Sequence, residues 1–153
     1  MLWCMMQLDN LYQEVILDHY KNPQNKVLDP NSDIQVHHVN PSCGDEVTLG
    51  VILDGDKVIS ITWEGVGCSI SHASTSIASD LLTGKTLEQA RSISDEFLEL
   101  MQSKGSVEGD PEILEDAVAL AGVSKYPARI KCALLGWMAF KDASLQAEAK
   151  KAK

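Results

Sequence analysis

Basic residues are scarce in this chain. Its 13 Lys and Arg stand against 22 Asp and Glu, a formal charge of -9 over 153 residues. Phosphate backbones are bound by a basic face, so nucleic acid is excluded as a partner. An acidic surface suits instead a partner protein with a basic docking patch. The one basic cluster, Lys150, Lys151 and Lys153, closes the sequence, and residues 148–153 are expected to be a flexible basic tail. Long apolar runs are missing as well. No segment reaches the roughly 20 residues of a transmembrane helix, which removes a membrane partner. The opening Met1-Leu2-Trp3-Cys4-Met5-Met6 has no basic flank and is too short for a signal-peptide core. Residues 1–7 read as a flexible leader, with Cys4 an incidental thiol, and the expected compartment is the cytoplasm. Internal repeats and composition shifts are absent, so residues 8–147 are expected to form one domain. Such a chain buries about 70% of its unfolded surface and needs no disulfide staple.

Also missing is any C-x-x-C pair among the four cysteines. Spacing alone therefore leaves two readings open: buried or incidental thiols, and a converging ligand set. In a reducing compartment, thiols are more often ligands or nucleophiles than cross-links. What is present is a common placement. Cys43 follows Asn40-Pro41-Ser42, Cys68 follows Gly65-Val66-Gly67, and Cys132 stands beside Lys131. Each is expected at the end of an element, where thiols can meet and stay reachable.

The periodicity predicts those elements. Leu8, Leu11, Tyr12, Val15, Ile16 and His19 repeat at helical spacing, and Asn22-Pro23 stops the helix. Val47, Leu49, Val51 and Leu53 alternate, Asp54-Gly55-Asp56 turns the chain, and Val58 to Trp63 returns it as a hairpin. Ile34, Val36 and His38 supply a third antiparallel strand, with His37-His38 expected in water on an edge. From residue 69 the chain reads as helical. Gly84 is a C-cap, Thr86-Leu87-Glu88-Gln89 has the capping-box form, and Asp110-Pro111-Glu112 caps a helix ending at Gly122. Pro127 opens the last helix, whose buried face is expected to be Ile130, Ala133, Leu134, Trp137, Met138 and the stem of Lys141. The expected class is α+β: an N-terminal helix, a three-stranded antiparallel sheet, then helices packed on one face.

Chemistry follows from placement. Cys68 enters a helix, where free amides and the helix dipole favour its thiolate. Cys132 lies in the first turns of the last helix beside Arg129 and Lys131, which favour thiolate too. Cys43 sits on a Pro/Gly-bounded loop, with Asp45 two residues on. Three sulfurs and one carboxylate make a four-ligand shell of the sort zinc accepts. Arg129 either steadies Asp45 or a free sulfur through a charge-assisted bond, or is a solvated helix-start arginine. His72, one turn after Cys68, either competes as a ligand or packs and hydrogen-bonds. His19, on the inner stripe of the first helix, reads as a satisfied core or interface histidine.

Four segments in order carry a family resemblance: Asp18-His19-Tyr20-Lys21-Asn22-Pro23, Asn40-Pro41-Ser42-Cys43-Gly44-Asp45, Gly65-Val66-Gly67-Cys68-Ser69-Ile70-Ser71 and Tyr126-Pro127-Ala128-Arg129-Ile130-Lys131-Cys132. Over about residues 8–145 the chain resembles the IscU/NifU-N family of iron–sulfur cluster assembly proteins, whose fold is SufE/NifU-like. A longer stretch between Cys68 and Cys132, with residues 103–122 as the insertion, points to the SufU branch. So does Lys131, where IscU proteins have histidine. An ammonium cannot ligate a metal, so Lys131 would hold thiolates or a persulfide by charge. The resemblance implies zinc bound through Cys43, Asp45, Cys68 and Cys132, and sulfur accepted on Cys43 from a SufS-type cysteine desulfurase. It further implies that a partner histidine can replace Cys43 on zinc, and that downstream Suf assembly proteins take the sulfur. Gln24, where an arginine is usual, and His72, where a smaller or amide residue is common, depart from the pattern.

Three functions remain. The leading expectation is a zinc-dependent sulfurtransferase that works by persulfide transfer through Cys43, with Arg129 and Lys131 as charge support. The second is a scaffold that carries iron or a transient [2Fe–2S] cluster on the same donors. The third is an adaptor whose zinc is only structural, with no chemistry of its own.

Overall fold

The structure is a computed structural model that describes residues 10–41, 44–106 and 109–151. Helix α1 (Asn10–Lys21) carries Val15, Ile16 and His19 of the first apolar stripe, Leu8 lying outside the described residues, and ends before Pro23. Its inner face holds Ile16 and His19, both buried. Three strands follow, β1 (Ile34–Asn40), β2 (Asp45–Asp54) and β3 (Lys57–Val66), in an antiparallel meander with β2 central. Alternation sets the faces: Val47, Leu49, Val51, Leu53, Val58, Ile61 and Trp63 point into the core. The register shifts once, between Ile52 and Leu53, which lets Val58 and Ile61 both face inward across the irregularity.

Helices cover the inner face. Helix α2 (Ser69–Leu82) packs on β3, and the long α5 (Pro127–Lys151) crosses β1 and β2. Serines and threonines line α2, and their buried hydroxyls have partners. Thr75 donates to the Ser71 carbonyl at 2.8 Å, Ser74 donates to the Ala133 carbonyl, and Ser76 accepts from the Gln24 amide at 2.7 Å. At Gly136 the two helices touch so closely that a Cβ would collide with Thr75. His19 bridges three elements, with Nδ1 2.8 Å from Ser76 Oγ and Nε2 3.0 Å from Asp116 Oδ2. A carboxylate only accepts, so Nε2–H donates to Asp116.

The capping box is present at the start of α3 (Leu87–Gln102), Thr86 and Gln89 each bonding the other's backbone at 3.1 Å. Gly84, just past the end of α2, has φ of 87°, the left-handed cap that glycine permits. The capped helix expected from Asp110 to Gly122 is different. A single α-turn, α4 (Pro111–Leu114), gives way to a 3-10 stretch over Glu115–Lys125. Glu115 has φ of 46°, which breaks the α-helical path. Leu114, Ala117, Leu120 and Val123 are all buried, and a spacing of three matches the 3-10 period.

Three further expectations are corrected. Met138 and Lys141 are exposed on α5, whose buried side is Cys132, Ala133, Leu135, Trp137, Ala139, Phe140, Ala143 and Ala147. This stripe is wide because the helix lies between the sheet and α2. His38 is half-buried rather than free in water: it faces inward from β1 and meets Asp142 of α5 at 2.8 Å. Bonds from His38 and then Gln146 hold the Asp142 carboxyl below its ordinary pKa. Residues 148–151, expected as tail, continue α5, and Lys150 donates to the Asp33 carbonyl at 2.9 Å. Among the described residues, no helix is long and apolar enough to cross a membrane.

Candidate metal centre

Asp45, Cys68 and Cys132 come together, each offering a ligand atom within 4.8 Å of the other two. Their origins are far apart in sequence, and each is delivered by an element end. Asp45 is the first residue of β2, paired in register with Asn40, the last of β1. The β2 alternation turns its side chain to the inner face together with Val47, and it is fully buried. Cys68 is the N-cap of α2, in extended conformation. Cys132 lies in the second turn of α5, with Sγ 3.9 Å from the Ala128 carbonyl. Two helix N-termini therefore converge on one carboxylate, and both dipoles favour negative charge there.

Cys68 contacts both carboxylate oxygens. Asp45 Oδ1 accepts from the Cys68 amide at 2.9 Å, and Oδ2 lies 3.9 Å from Cys68 Sγ. Among the described residues it forms no ion pair with a basic side chain. Buried charges are paired or coordinate metals, so this geometry fits a cation. Tetrahedral zinc with sulfur at ~2.3 Å sets donors about 3.8 Å apart, which side-chain adjustments within the observed 4.8 Å allow.

Gly67 makes the approach possible. Its φ is 155°, and a Cβ there would collide with Asp45 Oδ1 and stand 2.7 Å from Ser71 Oγ. Gly67→Ala is expected to keep the circular dichroism of the parent but lose at least tenfold in zinc affinity, comparable to disturbing an outer partner of a metal ligand. Chelator competition measures it, and unchanged affinity would show that the close approach is dispensable.

Cys43, the remaining member of the expected set, lies outside the described residues. Arg129 is half-buried and Lys131 exposed on the first turns of α5. Neither side chain has a hydrogen bond or ion pair among the described residues, so Arg129 does not steady Asp45. His72 packs and hydrogen-bonds. Its Nδ1 donates to the Cys68 carbonyl at 3.2 Å, and Nε2 accepts from Lys26 Nζ at 3.2 Å. Tyr20 and Trp63 meet the ring edge-on. Burial, then the Lys26 ammonium, lower its pKa, which agrees with a neutral ring whose two nitrogens are both committed. Lys26, 5.6 Å above the Trp63 ring, is a contact that sequence reasoning missed. Its only signal is a lysine shortly after Asn22-Pro23.

A family model described as the NifU-like N-terminal domain matches residues 11–133. The chain belongs to this family. A zinc-dependent sulfurtransferase SufU of Bacillus subtilis is 53% identical over 134 residues, covering 86% of this chain and 88% of the relative. An iron–sulfur cluster assembly scaffold protein IscU of Streptococcus pyogenes is 41% identical over 140 residues, covering 91% and 86%. A crystal structure described as a putative iron–sulfur cluster assembly scaffold for the SUF system, from Fervidobacterium islandicum, superposes with a TM-score of 0.79 at 34% identity. It covers 86% of this chain and 94% of that one. All three family segments that bear Asp45, Cys68 and Cys132 lie inside the matched span.

Proposed function

We propose that this chain is a zinc-dependent sulfur acceptor, working in the cytoplasm, that takes persulfide sulfur from a SufS-type cysteine desulfurase for iron–sulfur cluster assembly. The observation that carries the reading is the buried Asp45 carboxylate facing Cys68 and Cys132 with no basic partner among the described residues. The similarity to a relative named for zinc-dependent sulfur transfer gives that donor set its chemistry. Cys43, Asp45, Cys68 and Cys132 would hold the ion. When bound, zinc supplies a redox-inert positive charge that keeps thiols ionised.

Cys43 is the sulfur acceptor. Its thiolate attacks the terminal sulfur of the desulfurase persulfide, and the S–S bond to the enzyme breaks. The electron pair leaves with the enzyme's cysteine as a thiolate, so a new S–S bond forms on Cys43 without net oxidation. Arg129 and Lys131, cations at the start of α5, lower the energy of the anionic sulfur species by charge. Suf assembly proteins take the sulfur onward.

Cys43→Ser is expected to abolish labelled-sulfur transfer from desulfurase to this chain, while Asp45, Cys68 and Cys132 still bind zinc more weakly. An adaptor without chemistry would still stimulate its partner in that variant. Similarity to the streptococcal scaffold favours a second reading, a [2Fe–2S] cluster on the same donors. Metal analysis decides between them. Colourless protein with one zinc supports transfer, and visible absorption after anaerobic reconstitution with iron and sulfide supports the scaffold.

A further inference from the structure

Asp45 points from the inner sheet face toward Cys68 and Cys132, yet the outer face at the same end has a pattern of its own. Val39, Glu46 and Val66 are cross-strand partners in one row. All three are exposed, the valines at 51% and 58%. His37, Thr48 and Glu64 form the next row on that face. His37 Nε2 lies 3.4 Å from Glu46 Oε2, and its Nδ1 2.9 Å from Thr48 Oγ1. An open cavity of about 370 Å³ lies against these rows, lined by Glu46, Glu64, Val66 and Lys26 among others.

The geometry points to this patch as the docking surface for the protein that presents the persulfide, which would offer basic side chains flanked by apolar ones. The inference rests on the sulfur-acceptor reading and extends it. Two observations favour that occupant. The first is charge: two carboxylates, with two exposed valines beside Glu46, complement a basic partner surface, in keeping with the overall charge of -9. The second is continuity with the site. Val66 precedes Gly67-Cys68, Glu46 follows Asp45, and Val39 stands one residue before the buried Asn40 that pairs with Asp45. A partner seated here lies at the sheet end from which Asp45 and Cys68 are delivered. The exposed valines supply the apolar contact that a polar rim alone lacks. Cation-bearing Lys26 marks one wall, so the carboxylate side of the cavity is where basic groups would enter.

The test compares two variants of equal charge change. Glu46→Lys/Glu64→Lys alters the patch, and Asp95→Lys/Glu99→Lys alters exposed positions on α3. The readouts are zinc content, the desulfurase concentration that half-saturates sulfur transfer, and the transfer rate at saturation. The patch variant is expected to keep its zinc and its saturated rate. Its half-saturating desulfurase concentration should rise about tenfold, because rim charges act mainly on encounter. In the parent that concentration should rise with salt, and this dependence should weaken in the patch variant. The α3 variant should behave as the parent does. Unchanged half-saturation in the patch variant, or an equal rise in both, overturns the proposal. So does a change in the sedimentation of Val39→Asp/Val66→Asp alone, which would make the face a contact between copies of this chain. If the parent accepts no sulfur at all, the acceptor reading itself fails, and that result is distinct from every outcome above.

Discussion

Asp45→Ala is expected to release zinc at concentrations where the parent chain holds it, and to lose sulfur transfer with it. Losing an outer partner of a metal ligand costs roughly 10–100-fold in affinity; with Asp45 itself a donor in the proposed reading, the loss should exceed that range. Stability makes the sharper comparison. Asp45 is fully buried and has no basic partner among the described residues. Among the described residues its polar contacts are the Cys68 amide at 2.9 Å and the Cys68 thiol at 3.9 Å, with no cation beside it. Removing an uncompensated buried carboxylate is close to neutral or stabilising without metal. The metal-free variant should therefore unfold at the same denaturant concentration as the metal-free parent, or higher. Adding zinc should then raise the midpoint of the parent strongly and that of the variant little, since a ligand stabilises the state it binds. Asp45→Asn keeps an acceptor for the Cys68 amide but loses the charge, and should fall between them. Equal stabilisation of parent and Asp45→Ala by zinc would refute the carboxylate as a ligand.

Trp137→Ala is expected to cost about 3–5 kcal/mol, the range for deleting a buried aromatic side chain. Trp137 is 2% exposed, and its ring stacks on Phe97 of α3 with centroids 4.1 Å apart and planes 10° from parallel. Its Nε1–H donates to Ser74 Oγ at 2.9 Å, which ties α5 to α2. These are the two helices that carry Cys132 and follow Cys68, so the same side chain that fills the core also spaces the donors. At roughly 2–4 °C per kcal/mol for a chain of this size, the melting temperature should fall by about 10 °C. Trp137→Phe retains the stack but drops the hydrogen bond, and should cost about 1 kcal/mol from that bond in addition to the smaller ring. Thermal and denaturant unfolding measure both. A cost below about 1 kcal/mol for Trp137→Ala would place the ring outside the packed core.

Much of the architecture was legible because local chemistry announces it. Alternation at Val47–Leu53 and the Asp54-Gly55-Asp56 turn dictate a hairpin, and the Thr86/Gln89 box dictates where α3 begins. Local rules failed where a segment answers to its surroundings. Asp110-Pro111-Glu112 does cap a helical turn, but nothing in the following Ala, Val and Leu residues distinguishes an α from a 3-10 period. Packing of Leu114, Ala117, Leu120 and Val123 in the core accompanies the tighter coil. Lys141 and Met138 were misplaced for a related reason. A helix sandwiched between sheet and helix buries a wide stripe, and sequence does not say which flanks are covered.

What this sequence settled alone is the inventory: an acidic α+β chain with three thiol-bearing segments and one nearby carboxylate of types that can ligate a metal, because residue type decides ligand chemistry. Tertiary structure alone decided that Asp45, Cys68 and Cys132 meet, that Arg129 forms no ion pair with Asp45 among the described residues, and that Lys26 reaches His72. Those are facts of distance between segments 23 to 87 residues apart in sequence, and only the packing of α2 and α5 against the sheet brings such segments within bonding reach.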